Sequence, residues 1–291
     1  MKTKSSFLIS TAMLVAVLTF SFTGNKTKSD EIQGYMFIPM GNNEIEGRTY
    51  SIDAFWMAEF EVTNKMYNTF LTELQEMGMD SLYDIAKIHS ENWKEGESYH
   101  HPYAEVYHSH PAYENYPVVN VSHEGAKLFC QWMSDNADNG DVYRLPTRAE
   151  WIYAAQAGME DAVYSWGGPG LRNKKGEYLG NFMKIGDQCI HKDSNNELVI
   201  AASDCGKKKA NIPAPVDSYW PNDYGLHNTC GNAAEMLLEK GIAMGGSYNC
   251  PGYDVRILSE LPYTHSSKYV GFRPVVSYKG RKNDNKRQII N

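Results

Sequence analysis

The residues best suited to chemistry lie in Ala243-Met244-Gly245-Gly246-Ser247-Tyr248-Asn249-Cys250, with Gly271-Phe272-Arg273 about twenty residues downstream. A glycine pair permits positive φ or a close backbone approach, and a thiol just after it can be presented by a small strained loop. Cys250 is therefore a candidate reactive residue, and Ser247, Tyr248 and Arg273 are candidate walls of a substrate groove beside it. The other cysteines are Cys130, Cys189, Cys205 and Cys230. None of their spacings is CxxC, which argues against a structural zinc site. In an oxidising compartment an odd count leaves at least one thiol free or bound elsewhere. Cys189 and Cys205 flank a segment that opens with a polar stretch and reads as a surface loop, so they are the favoured pair for a bridge. His100, His101, His108 and His110 crowd a short region where imidazoles could bind zinc or copper. His108-Ser109-His110-Pro111-Ala112-Tyr113 nevertheless reads as a connecting loop, in which histidines are mostly solvated or hydrogen bonded.

Short elements must position these groups. Thr63 precedes Met66, Tyr67, Phe70, Leu71 and Leu74 at helical spacing, and Gly78 ends that run. Ser122 starts a second helix with Ala126, Phe129, Cys130 and Met133 on one face, which makes Cys130 a core residue. Thr147 and Glu150 form a capping box before Trp151, Ala154 and Ala155, and this third helix runs to Gly158. Short strands are expected at Tyr35 to Pro39, Ser51 to Met57, Val118 to Val121 and Val270 to Val276, separated by turns rich in Gly, Asn and Pro. Six tryptophans and twenty tyrosines suit an irregular core, since large amphipathic rings fill gaps while keeping a polar handle. Arg144 and Arg273 read as braces within such a core, pairing with Glu150 or Asp223, with a substrate carboxylate as the alternative.

Composition sets the compartment and excludes some partners. The chain has 291 residues, 42% hydrophobic and 22% charged, which is globular and ordinary. Lys2 and Lys4 precede an apolar run from Phe7 to Phe22, too short and too lightly flanked for a membrane span, so residues 1–24 read as a signal peptide and 25–33 as a linker. This points to the periplasm, the cell envelope or secretion, with no stable membrane span after cleavage. No cysteine precedes Cys130, so a lipid anchor of the usual kind has no acceptor thiol. Cleavage removes two lysines and no acids, taking the formal charge from -7 to -9. A product that acidic has no electrostatic reason to seek nucleic acid. Residues 278–291 form a polar, basic tail, read as a solvated end.

A series of motifs carries a resemblance. Phe37-Ile38-Pro39 with Gly41, Glu61-Val62-Thr63-Asn64, Tyr116-Pro117-Val118-Val119-Asn120-Val121-Ser122 and Arg144-Leu145-Pro146-Thr147-Arg148-Ala149-Glu150-Trp151 are followed by Gly225-Leu226, Gly231-Asn232, Glu235, Gly245-Gly246-Ser247 and Gly271-Phe272-Arg273. In this order, over about residues 34 to 277, they resemble the formylglycine-generating enzyme, or sulfatase-modifying factor, family. The long segment from Glu61 to Asn120 looks most like members in Bacteroidota, including those of gliding-motility and protein-export machinery, although such relatives usually carry a lipid anchor.

The resemblance implies one α+β domain with a loop-rich variant of the C-type lectin fold, with short helices and short antiparallel strands. It also implies what the site should do. Family enzymes oxidise a substrate cysteine to formylglycine using copper(I) held between two cysteines five residues apart. Here the first matches Cys250 and the second is Val255, which offers neither a metal ligand nor a redox partner. Copper(I) favours a pair of thiolates, so a copper cofactor is not expected unless Cys230 approaches. The family's structural calcium loops would correspond to Asn232 with Glu235, and to the surroundings of Asn181; an Asn, a Glu and neighbouring carbonyls are the hard oxygens calcium takes. The alternative is that Asn232 and Glu235 only bind backbone groups in a turn. The family's usual tryptophan before that glutamate is Ala234 here. Two functions follow: an exported binding or scaffold protein with a protein or peptide partner, or an enzyme modifying an exported polypeptide through Cys250.

Overall fold

The computed structural model describes residues 32–96, 98–137, 140–184, 190–192, 194–200 and 212–277, all within the compact unit Ile32–Asn291. The signal peptide, the basic tail and the proposed Cys189–Cys205 bridge lie outside the described residues.

The chain opens with four strands, β1 (Tyr35–Ile38), β2 (Gly41–Ile45), β3 (Arg48–Ile52) and β4 (Phe55–Ala58). β2 and β3 pair through the two-residue turn Glu46-Gly47, both at positive φ, the twist that joins antiparallel strands without splaying them. Helices follow at α1 (Asn64–Glu76), α2 (Asp80–Ala86), α3 (Tyr103–Val106) and α4 (His123–Asp135). After β5 (Tyr143–Arg144) and α5 (Arg148–Gln156) come β6 (Ile190–Lys192) and β7 (Leu198–Ile200). The chain then forms β8 (Ala234–Met236), β9 (Ile242–Met244), β10 (Glu260–Pro262), β11 (Val270–Gly271) and β12 (Val275–Ser277). One sheet runs β1-β4-β12-β5 and a second β10-β9-β8-β11, in which only β11 pairs in parallel.

The three expected helices form where their caps place them. Thr63 Oγ1 accepts from the Met66 amide at 3.2 Å and Ser122 Oγ from the Gly125 amide at 2.9 Å. At α5 the capping box is complete: the Glu150 amide reaches Thr147 Oγ1 at 3.3 Å while Glu150 Oε2 takes the Thr147 amide at 2.9 Å. Each cap satisfies amides that the first helical turn leaves orphaned. Cys130 is buried on α4 as expected.

The strand expectations need correction. Ser51 to Met57 is two strands, broken at Asp53-Ala54, so that β3 closes a hairpin while β4 enters the first sheet. Val270 to Val276 also splits. Its centre is Phe272-Arg273-Pro274, and a proline has no amide to give a sheet ladder. Val118 to Val121 is not a strand: the Val118 amide reaches Val62 O at 2.8 Å, but Asn120 sits at φ 61° and turns the chain away. Helices α2 and α3 carry no side-chain cap of the kind that marks the others.

The two largest apolar clusters fill most of the interior. One joins Ile38, Phe55, Met57, Trp151, Ile152 and Val255; the other packs Tyr67, Phe70 and Phe129 against Phe272. β8, β9 and the loop after β9 run between them, which is how the Gly-Gly-Ser-Tyr-Asn-Cys segment is held.

Candidate functional site

The loop after β9 is stitched to the loop before β8. The Gly231 amide donates to Gly245 O at 2.8 Å and the Tyr248 amide to Asn232 O at 2.8 Å. Gly245 and Gly246 sit at φ 81° and 65°. A Cβ at Gly245 would strike Thr229 O and the Trp151 ring, and one at Gly246 would meet Asp254 O and Val255. The glycine pair is therefore required both for its dihedrals and for close approach.

Cys250 is half-buried at the end of this loop, and its Sγ lies 3.4 Å from Ser247 Oγ. Its carbonyl accepts from the Met183 amide at 2.9 Å, which ties it to the segment after Asn181. Cys130, Cys230 and Cys250 carry free thiols. Burial pushes the Cys130 thiol up to about 12 and the Cys230 thiol up to about 11, so neither forms thiolate readily. Cys230 Sγ accepts from the Ser165 amide inside the core. Val255 is fully buried and packs in the first apolar cluster beside Gly246. A copper(I) ion needs two soft donors, and this loop supplies one sulfur and an aliphatic side chain. Among the described residues, those around Cys250 do not fit copper.

The expected groove does not form from the residues named for it. Tyr248 and Arg273 are 0% exposed and Ser247 is 1% exposed, so none of them can line an open surface. Tyr248 packs with Trp93, Tyr107, Val119 and Ala233. Of the four, only Cys250 reaches solvent.

Arg273 is instead the hub of a buried polar network. Its Nε and Nη2 bind the Glu235 carboxylate at 2.7 to 3.1 Å. Nη1 donates to Ala58 O and Glu59 O, and Nη2 to His227 O, at 2.6 to 2.9 Å. Its partner is Glu235, with Glu61 at 4.0 Å, and not Asp223 as anticipated. The bracing role expected of the arginine is what the structure shows; Arg144 likewise pairs with Glu150 at 2.6 Å.

This network also claims the proposed calcium ligands. Glu235 Oε2 accepts from Trp151 Nε1 at 2.7 Å in addition to Arg273. Asn232 Oδ1 accepts from Asn181 Nδ2 at 3.0 Å and from the Ala214 amide at 2.7 Å, while its Nδ2 donates to Glu61 Oε1 at 2.8 Å. A calcium ion held by Asn232 and Glu235 would have to displace a guanidinium and an indole. In this arrangement the two side chains do not fit that ion. Asn181 is brought to the same network, with its Nδ2 also on Ile212 O.

Glu61 is the residue that sequence reasoning missed here. It is completely buried, and burial, opposed only in part by Arg273 and the Asn232 hydrogen bond, raises its carboxyl to about 7. The only sign in the sequence was its place in the Glu-Val-Thr-Asn motif; its partners lie some 170 residues away. The histidines do not converge either. His108 Nδ1 pairs with Asn64 Oδ1 at 2.9 Å and Nε2 accepts from Trp93 Nε1 at 3.3 Å, and His110 caps the Ala112 amide. Burial lowers His108 to about 3. Among the described residues, no group of three or more His, Cys, Asp and Glu could hold a metal ion.

Short helices and small, mostly antiparallel sheets around a half-buried cysteine loop define a C-type lectin-like domain of the sulfatase-modifying type. The chain belongs to the sulfatase-modifying factor enzyme 1-like domain family, whose profile matches residues 21–278. It is 27% identical over 220 residues to the formylglycine-generating enzyme of Bos taurus, covering 67% of this chain and 51% of that protein. It is 30% identical over 144 residues to the inactive C-alpha-formylglycine-generating enzyme 2 of Bos taurus, 49% of this chain and 37% of that one. A more distant relative, a chaperone protein LppX of Paenibacillus barcinonensis, is 20% identical over 78% of each chain. The chain thus spans about half the length of the first of these relatives. Among solved structures, PvdO from Pseudomonas aeruginosa superposes with a TM-score of 0.52 at 17% identity, over 84% of this chain and 94% of that one. CarF superposes at 0.54 and 18%, over 84% and 98%. At that identity the likeness is one of fold.

Proposed function

We propose that this protein is a non-oxidase binding or scaffold component that acts outside the cytoplasm, at the cell envelope. One observation carries the reading: the position five residues after Cys250 is Val255, an apolar side chain sunk in the core. An oxidase working through copper(I) would need a second sulfur there. Relatives that bear the names inactive C-alpha-formylglycine-generating enzyme 2 and chaperone protein LppX support the idea that this fold serves without oxidation. The apolar run ending at Phe22 supports export. Among the described residues no helix is long and apolar enough to cross a membrane.

The competing reading is a formylglycine-generating enzyme acting through Cys250, which the Ser247 hydroxyl beside its sulfur favours. Purified protein loaded with copper(I) and given a cysteine-containing peptide in air separates the two. We expect no stoichiometric copper and no mass change of the peptide cysteine to formylglycine; bound copper with turnover would overturn the binding reading.

A further inference from the structure

The loop that carries Cys250 continues into a basic, tyrosine-bearing surface on this acidic chain. Leu171 packs on Gly252, and Met183 pairs in parallel with Pro251. These contacts bring the 171–184 segment against residues 250–258. Three cations gather there on tyrosine faces. Arg172 Cζ lies 4.0 Å and Lys184 Nζ 4.8 Å from the centre of the Tyr178 ring, and Arg256 Cζ lies 3.5 Å from that of Tyr253. Lys174 and Lys175 stand exposed in the same hairpin. The acids within these two segments are Glu177, which accepts from Asn173 Nδ2 at 2.7 Å, and Asp254.

Arg256 is the best-prepared of these groups. Its Nε donates to Tyr253 O at 2.8 Å and its plane rests on the ring, so the side chain is held before anything binds. Among the described residues no carboxylate pairs with it, which leaves the two Nη groups as an open fork suited to a carboxylate. Beside it, Tyr253 is 67% and Leu258 48% exposed. A preordered Arg and Tyr next to an exposed aliphatic is the composition of an interface centre, because such side chains bury much area at little entropic cost.

We propose that this surface docks an acidic polypeptide segment, its carboxylates on Arg256, Lys184 and Arg172 and an apolar side chain against Tyr253 and Leu258. The inference rests on the binding reading above and names the partner's chemistry. Basic segments would be repelled by these cations and leave the Arg256 fork unpaired, whereas carboxylates pair with it, and on a chain of formal charge -7 such a patch is a local site of complementary sign.

The test uses fluorescence anisotropy on the purified chain. The probes are a short Glu-rich peptide with a central Phe, the same peptide with every Glu replaced by Lys, and an oligothymidylate of matching charge. The Glu-rich peptide should bind, weaken as salt rises, and lose about tenfold in affinity in Arg256→Ala and again in Tyr253→Ala. Both substitutions lie at the surface, and unchanged circular dichroism confirms the fold. No binding of the Glu-rich peptide, equal binding by the variants, or equally tight oligothymidylate would overturn the proposal. If the Lys peptide binds instead, the protein is still a binding component and only the acidic partner is refuted. Copper-dependent turnover would instead refute the binding reading itself.

Discussion

Replacing Glu61 by glutamine asks whether a buried carboxyl sets the pH dependence of stability. In the folded chain its carboxyl titrates near 7, against 4.5 as its ordinary value. A carboxyl raised in this way binds its proton more tightly folded than unfolded between those two values. Its contribution is therefore fullest below about 4.5 and is lost as pH rises through 7. At about 1.4 kcal/mol per pH unit the loss amounts to about 3 kcal/mol. His108 has the opposite sign. Burial lowers it to about 3, so the unfolded chain takes up its proton first and stability falls as pH drops below 6.5. The two slopes overlap, and only the difference between wild type and variant isolates Glu61. In the Glu61→Gln variant the new side chain keeps one acceptor for Asn232 or Asn228 but sets an amide against the other, at a cost of about 1–3 kcal/mol. Urea unfolding at pH 5 should find Glu61→Gln less stable by about that amount. By pH 8 the gap should have closed by about 2.5 kcal/mol, bringing the variant close to or above wild type. Stability curves that run parallel from pH 5 to 8 would refute the reasoning, because Glu61 would then be ionised throughout.

Other outcomes can be read with simpler assays. Arg273→Met strands the Glu235 charge and removes the guanidinium's hydrogen bonds to Ala58 O, Glu59 O and His227 O, so it should cost about 3–5 kcal/mol or more, and adding Glu235→Leu should recover part of that; equal stability of Arg273→Met and wild type contradicts the hub. Thr147→Ala removes one arm of the capping box and should lower stability by about 1 kcal/mol in thermal unfolding, whereas no change would mean that the cap is redundant. In the native protein a thiol reagent should modify Cys250 quickly and Cys130 and Cys230 only on unfolding. A fast phase that survives Cys250→Ser but disappears in Cys130→Ser would reverse that assignment. Gly246→Ala forces a Cβ into Asp254 O and Val255 from a left-handed backbone, so it should destabilise by more than about 1 kcal/mol; a neutral effect would show that the loop relaxes.

Local chemistry was legible in the residues themselves. Thr63, Ser122 and Thr147 announce their helices because a cap acts within three or four residues, and Gly245-Gly246 announces a tight turn because only glycine is at ease there. Val255 in place of a second thiol was equally visible, since it needs only a count along the chain. The splitting of Val270 to Val276 was half visible in Pro274, but the strands on either side join different sheets, which no local pattern states.

Tertiary structure decided which groups face solvent and which face one another. Ser247, Tyr248 and Arg273 stand beside Cys250 in sequence or motif and look like a groove, yet only Cys250 emerges, because Tyr248 fills an aromatic cluster and Arg273 spans the interior to Glu235 and three carbonyls. Asn232 and Glu235 look like oxygen donors until Arg273, Trp151, Asn181 and Ala214 are brought onto them from distant segments. Glu61 becomes a titrating group only because folding strips its water away. Residue types and spacing determined the family, the caps and the valine that stands five residues after Cys250, since those depend on side chains near in sequence. Burial and the buried polar network depend on contacts between segments tens to more than a hundred residues apart, and only the folded chain supplies them.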